Sequence, residues 1–107
     1  MTKITIKKAI EELKEKLFEK YGKTIRIFHF GSTVLKKYTD NSDIDILVLF
    51  DRAVTTVLKE KIFKAAFEIE LKYDVIFGII VVQADEWNRM KPTTFYQNVK
   101  KEAVAVL

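Results

Sequence analysis

The hydrophobic positions of this chain follow helical spacing in some segments and strand spacing in others. Ile6, Ile10, Leu13 and Leu17 recur on one side of a helix and predict a first helix over about Ile6 to Lys20. The pattern then predicts three strands, over Ile25 to Phe30, Ile44 to Phe50 and Val75 to Val82. A short helix over Ser32 to Lys37 lies between the first two strands, and a long helix capped by Asp51 lies between the last two. One or two helical turns over Ala84 to Met90 follow the third strand, and Thr93 caps a last helix from about Thr94 to Val104.

The predicted order of elements is αβαβαβα, which fits several small folds that combine helices with a sheet. The joint between the first two strands narrows the choice, because its helix has only about six residues and a parallel return needs a longer crossover. We therefore expect these two strands to be antiparallel and the fold class to be α+β.

Composition limits the function classes. The chain has 107 residues, 49% hydrophobic and 32% charged, which is ordinary for one soluble domain over residues 1–107. The absence of cysteine excludes disulfides and thiolate metal sites and suits the cytoplasm, and no apolar run predicts a membrane span. The net charge of +4 comes from lysines spread along helices, so an anionic substrate fits better than a nucleic acid.

Two short motifs carry the candidate chemistry. Asp43 and Asp45 open the apolar run that ends at Phe50, and a period of two places both carboxylates on one face, about 7 Å apart along the backbone. Mg²⁺ takes such oxygen ligands and shares them with substrate phosphates. Gly31 and Ser32 end the preceding strand, where a glycine lets a phosphate approach and a helix start offers free N–H groups. Together the motifs indicate chemistry on a nucleoside triphosphate.

Each motif alone is common, since Gly-Ser after a strand is usually a turn and Asp-x-Asp is usually a solvated strand end. Here the acids lead into a strand that is apolar on both faces, from Ile46 to Phe50. Carboxylates at the mouth of a buried strand are costly unless they are paired, hydrogen-bonded or bound to metal. The combination therefore favours a functional site.

These residues resemble a known family. Phe30-Gly31-Ser32, a gap of ten residues and then Asp43-Ile44-Asp45 resemble the motif of the DNA polymerase beta-like nucleotidyltransferase superfamily. The small size resembles the minimal nucleotidyltransferases of bacteria and archaea, and Asp85-Glu86-Trp87 and Thr94 to Val99 resemble the final third of one such subgroup. The resemblance covers nearly the whole chain. It implies the nucleotidyltransferase fold, with a mixed three-stranded sheet and helices on one face.

The resemblance also implies an activity, a cofactor and a partner. The residues it assigns are the catalytic and metal-binding Asp43 and Asp45, and the nucleotide-binding Gly31, Ser32, Thr33 and Lys36. Relatives use Mg²⁺, and ATP is their commonest donor, so transfer of AMP to an acceptor with release of pyrophosphate is expected. Such relatives often pair with a small helical HEPN protein in toxin–antitoxin operons, where the transferase is the antitoxin.

The chain departs from the family pattern in ways that matter for catalysis. Relatives usually carry an arginine after the Gly-Ser and a glycine three residues later, where this chain has Thr33 and Lys36. Active relatives also place a third carboxylate on a later strand, and counting back from Asp85 puts that position near Ile80, in a run without acids. The alternative function is therefore a catalytically reduced module that acts by binding its partner.

Two further expectations concern partners and local structure. One small domain leaves no room for an acceptor site, so we expect a homodimer or a complex with a HEPN-type protein. The apolar ending Val104 to Leu107 either packs back on the sheet or belongs to an interface. His29, the only histidine, shares a strand face with Ile25 and Ile27 and is expected to be structural.

Overall fold

The computed structural model describes every residue from 1 to 107. It contains four helices and a four-stranded sheet, with a short 3-10 turn over Gly22–Thr24. In chain order the elements are α1 (Lys3–Tyr21), β1 (Ile25–Phe30), β2 (Ile44–Phe50), α2 (Thr56–Tyr73), β3 (Phe77–Gln83), α3 (Ala84–Arg89), α4 (Thr94–Glu102) and β4 (Val104–Val106). The fold class is the predicted α+β, and the bounds of β1 and β2 are those that the hydrophobic runs predict.

The sheet is mixed, with the strand order β3-β2-β1-β4. β1 and β2 are antiparallel, as the short joint between them predicts, and β2 and β3 are parallel. The prediction of three strands was incomplete, because the apolar ending forms β4 and pairs antiparallel with β1, with Phe28 opposite Ala105. The C-terminal residues therefore pack back on the sheet, which was one of the two expected alternatives.

Helices cover both faces of the sheet, so the expectation of helices on one face was wrong. α1 and α2 pack on the first face over a cluster of 17 buried residues that includes Leu13, Ile62 and Val48. α3 and α4 cover the second face, where Trp87 and Val99 belong to a cluster of only five buried residues. The physical reason is that β2 is apolar on both sides, so the side chains of its second face also need cover.

Two local predictions failed for identifiable reasons. Residues 32 to 36 form turns instead of the helix expected through Lys37. The chain makes one i to i−4 bond, from the Leu35 N–H to the Gly31 carbonyl, and Lys36 then adopts a φ of +59°. The N-cap of α2 is Thr55, whose hydroxyl accepts the Leu58 N–H at 3.1 Å, and Asp51 lies before that helix. None of the helices combines the length and apolar character that crossing a membrane requires.

Candidate functional site

The two acids lie together at one end of the sheet. Asp43 directly precedes β2 and is exposed, whereas Asp45 is the second residue of β2 and is partly buried. Both carboxylates lie next to Gly78 of β3. A Cβ atom at this glycine would be 2.8 Å from Asp45 Oδ1 and 3.8 Å from Asp43 Oδ2. The prediction that the period-two spacing places both acids on one side agrees with this geometry.

Two glycines enclose the Asp45 carboxylate. On one side Gly31 has a φ of +82°, and a side chain there would overlap Asp45 Oδ2. On the other side Gly78 is the residue opposite Asp45 in the parallel pair of β2 and β3. Glycine is therefore required at position 31 by the backbone conformation and by the space that Asp45 occupies, whereas a side chain at position 78 would displace the Asp45 carboxylate.

The charge on Asp45 is uncompensated in the protein. Burial, the negative charge of Asp43 and the negative charge of Glu102 together raise the pKa of Asp45 above its usual value. Neither Asp43 nor Asp45 takes part in a salt bridge. A pair of carboxylates held together without a cation is the arrangement that a bound metal ion would stabilise.

Glu102 is a site residue that the sequence analysis missed. It is the last residue of α4, and its Oε1 accepts the backbone N–H of Gly31 at 3.0 Å. The C-terminal segment thus brings a third negative charge to the glycine turn. No local pattern identifies this contact, because the two residues are 71 positions apart in the sequence.

The turn after Gly31 presents free backbone donors. The Val34 and Leu35 N–H groups both donate to the Gly31 carbonyl at 3.2 Å, which curls the chain into a turn. The N–H groups of Ser32 and Thr33 and the Ser32 hydroxyl find no acceptor in the protein. Consecutive free N–H groups in a turn form a concave site suited to a phosphate.

The side chains of Thr33 and Lys36 lie apart from the acids. Thr33 is buried, and its hydroxyl lies 2.5 Å from Nε2 of His29. Thr33, Lys36 and His29 line a cavity of about 360 Å³ on the α1 side of the sheet, together with Lys3 and Lys7. Both predicted residues therefore direct their side chains into a cavity that neither Asp43 nor Asp45 lines.

The position expected for a third acid also needs correction. Ile80 lies opposite Leu47 in the parallel pair, whereas the residue opposite Asp45 is Gly78, two positions earlier. Counting back from Asp85 missed this, because the register of two parallel strands follows from their packing. Neither Gly78 nor Ile80 carries an acid, so β3 supplies no carboxylate to the site.

The donor set fits a cation that keeps water or substrate among its ligands. No group of three or more histidine, cysteine, aspartate or glutamate side chains is placed to hold a metal ion. Two carboxylates are present, and Mg²⁺ characteristically binds through one or two carboxylates together with substrate phosphates and water. A larger cavity of about 550 Å³ between α1 and α2, lined by residues such as Lys16 and Lys64, contains none of the predicted site residues.

Comparisons with solved structures identify the fold. A toxin–antitoxin structure with AMP-PNP matches with a TM-score of 0.56 at 20% identity, over 89% of this chain and 70% of that one. One chain in a structure of the tri-AMPylated Shewanella oneidensis HEPN toxin in complex with MNT antitoxin matches with a TM-score of 0.51 at 22% identity, over 98% of this chain and 71% of that one. At this level of identity the likeness concerns the fold.

Sequence comparisons establish the family. A protein of Methanocaldococcus jannaschii named "Putative protein adenylyltransferase" is 34% identical over 96 residues, which are 89% of this chain and 91% of that protein. The family model described as "Nucleotidyltransferase domain" matches residues 7–106 and thereby spans the turn, the acid pair and all four strands. The chain belongs to the nucleotidyltransferase domain family.

Proposed function

We propose that this protein binds ATP with Mg²⁺ at Asp43 and Asp45 and transfers AMP to an acceptor on a partner protein. The observation that carries the proposal is the enclosed and uncompensated Asp45 carboxylate, which lies beside Asp43 and against the Gly31 turn. The free N–H groups of Ser32 and Thr33 and the Ser32 hydroxyl are the proposed donors to the terminal phosphates.

The proposed reaction is an in-line displacement at the α-phosphorus of ATP. The acceptor oxygen forms the new bond to phosphorus while the bond to the bridging oxygen of pyrophosphate breaks, and the acceptor gives up its hydroxyl proton. A metal ion, when bound, stabilises the charge on the attacking and leaving oxygens. In this proposal the chain itself does two things. The turn after Gly31 orients the phosphates, and Asp43 and Asp45 bind the cation that neutralises the charge of the phosphates.

The proposed acceptor lies outside this chain. β3 supplies no carboxylate beside Asp45, so a base for the acceptor proton must come from Glu102, from solvent or from the partner. Fold relatives occur in toxin–antitoxin structures, one of them with an AMPylated HEPN toxin. These comparisons support a small helical HEPN-type protein as the acceptor and an antitoxin role for this chain.

The test is a transfer assay with labelled ATP, Mg²⁺ and the product of the neighbouring gene. We expect the wild-type chain to label the partner and the Asp43→Asn/Asp45→Asn variant not to label it. Asp51→Asn is the matched control, because Asp51 is an exposed acid just beyond the other end of β2. Equal labelling by all three proteins would show that the acid pair is not the catalytic site.

A second candidate function is a binding module with reduced catalysis. Two observations favour it, namely the absence of an acid on β3 and the Glu102 carboxylate that already occupies the Gly31 N–H. This function predicts that the chain binds and neutralises its partner without transferring label, and that the Asp43→Asn/Asp45→Asn variant neutralises equally well. Loss of neutralisation together with loss of labelling would exclude it.

A further inference from the structure

The two edges of the sheet differ in how well they are protected. β4 forms one edge and is only three residues long, whereas β3 forms the other edge with seven residues, Phe77–Gln83. Proteins usually blunt an exposed edge with charges, proline, a bulge or a very short strand. β3 contains no charged residue and no proline, so its edge is open to pairing with another strand.

The outward-pointing groups of β3 can be assigned from its register with β2. The Ile44 N–H donates to the Ile76 carbonyl at 2.8 Å, and Ile44 lies opposite Phe77. Because successive residues of a strand alternate in direction, Phe77, Ile79 and Val81 direct their N–H and C=O groups to the free edge. The Phe77 N–H is satisfied by Glu70 Oε2 at 2.8 Å, whereas the free-edge groups of Ile79 and Val81 have no partner in the protein.

An exposed aromatic surface of α2 runs alongside this edge. Phe63 and Phe67 are one helical turn apart and remain 46% and 48% exposed. Phe63 lies about 140° around the helix from Glu68, the residue that pairs with Lys16 of α1, and so it faces away from α1. Glu70 of α2 lies beside the first residue of β3, because it accepts the Phe77 N–H. Phe63 precedes Glu70 by seven residues, or about 10 Å along the helix, and so it lies level with the middle of β3.

We propose that the β3 edge and Phe63 form the interface between two copies of this chain. The two β3 strands pair antiparallel about a two-fold axis at Ile80, which places Ile79 of each copy opposite Val81 of the other. This register gives every free N–H and C=O group of the two residues a partner in the second copy. The sheet then continues through both copies with eight strands.

A second copy fits this surface because the surface is self-complementary. An uncharged strand that meets itself places no like charges opposite one another, and a two-fold axis uses the same patch on both copies. The same axis brings the two α2 helices side by side on one face of the joined sheet. The two Phe63 rings then lie near the axis and cover each other.

The dimer also bears on the acid site. In the proposed register Phe77 lies opposite Gln83 of the second copy, one residue from Gly78. Gly78 is the neighbour of Asp45, so the second copy lies about two strand spacings, or 10 Å, from that acid. Self-association would thus add a wall beside the cleft that one chain leaves open. This inference goes beyond the proposed function and does not depend on it.

The first test is the oligomeric state in a dilution series, measured by sedimentation or light scattering. We expect a concentration-dependent dimer for the wild type and for the control Val57→Lys, which changes an exposed apolar residue about 120° around α2 from Phe63. Phe63→Lys should weaken the dimer about tenfold or more, because two like charges then meet near the axis. A wild type that stays monomeric at all concentrations, or a dimer that Phe63→Lys leaves intact, would overturn the proposal.

Amide hydrogen exchange tests strand pairing without any substitution. The Ile79 and Val81 amides should exchange freely in dilute protein and become protected as the dimer forms, whereas the Phe77 amide should be protected throughout by Glu70. A dimer in which Ile79 and Val81 still exchange freely would place the interface elsewhere. Protection that appears only with an added partner protein would assign the edge to a foreign strand instead of a second copy.

Discussion

The two faces of the sheet differ in the size of their cores and in what they carry. The face under α1 and α2 has a cluster of 17 buried residues, whereas the face under α3 and α4 has a cluster of five. The side chain of Asp45 points to the second face, since it alternates with Ile44 and Ile46 of the first cluster. The larger core accounts for most of the apolar burial, while the smaller one leaves an open strand end where two acids and a turn meet.

The largest expected effect compares the same substitution on the two faces. Leu13→Ala, in the fully buried stripe of α1, should lower the free energy of unfolding by about 4 kcal/mol, near the upper end for this change. Leu49→Ala should lower the free energy of unfolding by about 2–3 kcal/mol. Leu49 belongs to the smaller cluster under α3 and α4 and lines a cavity of about 220 Å³, so its side chain has fewer packing contacts to lose. Urea unfolding measures both values, and a larger loss for Leu49→Ala would reverse the comparison.

The next prediction separates stability from ligand binding. Gly78→Ala should leave the free energy of unfolding within about 1 kcal/mol of wild type, because the flexible Asp45 carboxylate can move aside. The displaced acid should weaken Mg²⁺-dependent ATP binding about tenfold.

Gly22→Ala is the control for this prediction and should behave in the opposite way. Its φ is +52° and an added methyl group meets nothing within 4 Å, so it should lose stability and keep its affinity for ATP. Calorimetric binding and thermal unfolding of both variants are the measurements. Equal ATP affinity in Gly78→Ala and wild type would show that Asp45 does not need its present position.

A pH effect is expected on the first face. Burial lowers the pKa of His29 from its ordinary value of 6.5, so the unfolded chain binds a proton at a higher pH than the folded chain. The neutral His29 therefore contributes its full share to the free energy of unfolding above pH 6.5. This contribution is lost as the pH falls below that value, by at most about 1.4 kcal/mol per pH unit. His29→Gln should lose stability less steeply between pH 7 and 5, and parallel curves for the two proteins would contradict the assignment.

The smallest effect concerns Glu102. Glu102→Gln keeps an oxygen for the Gly31 N–H and removes one of the negative charges that raise the pKa of Asp45. ATP affinity in the presence of Mg²⁺ should rise about fivefold, which corresponds to roughly 1 kcal/mol for a screened charge. Glu86→Gln on α3 is an exposed control that should bind like wild type. A fall in affinity would mean that Glu102 helps to hold the ligand.

The sequence predicted the elements and the acid pair because both depend on local spacing. The apolar runs of β1 and β2 have few competing interpretations, and the period of a strand fixes which side Asp43 and Asp45 share. The end of β1 before Gly31 was also predicted, but the chain then forms turns instead of the expected helix. Thr33, Val34 and Leu35 do not indicate where a turn will end, and the positive φ of Lys36 is a backbone feature that its residue type does not predict.

The features that the sequence did not predict depend on contacts between distant segments. The pairing of β4 with β1 is set by residues far apart in the chain, and a three-residue edge strand carries little pattern of its own. The choice of Gly78 over Ile80 as the neighbour of Asp45 needs the parallel register, and the contact of Glu102 with Gly31 needs the packing of α4. Spacing along one segment contains none of this information.

Calorimetric titration of ATP with Mg²⁺ into three proteins tests the central claim most directly. Wild type and Asp51→Asn should bind alike, whereas Asp43→Asn/Asp45→Asn should lose affinity by about 100-fold or more, since both proposed metal ligands lose their charge. Without metal the double variant should melt no lower than wild type, because the burial of a charge at Asp45 and its repulsion by Asp43, which both raise the pKa of Asp45, are gone. Unchanged ATP affinity in a folded double variant would contradict the assigned site.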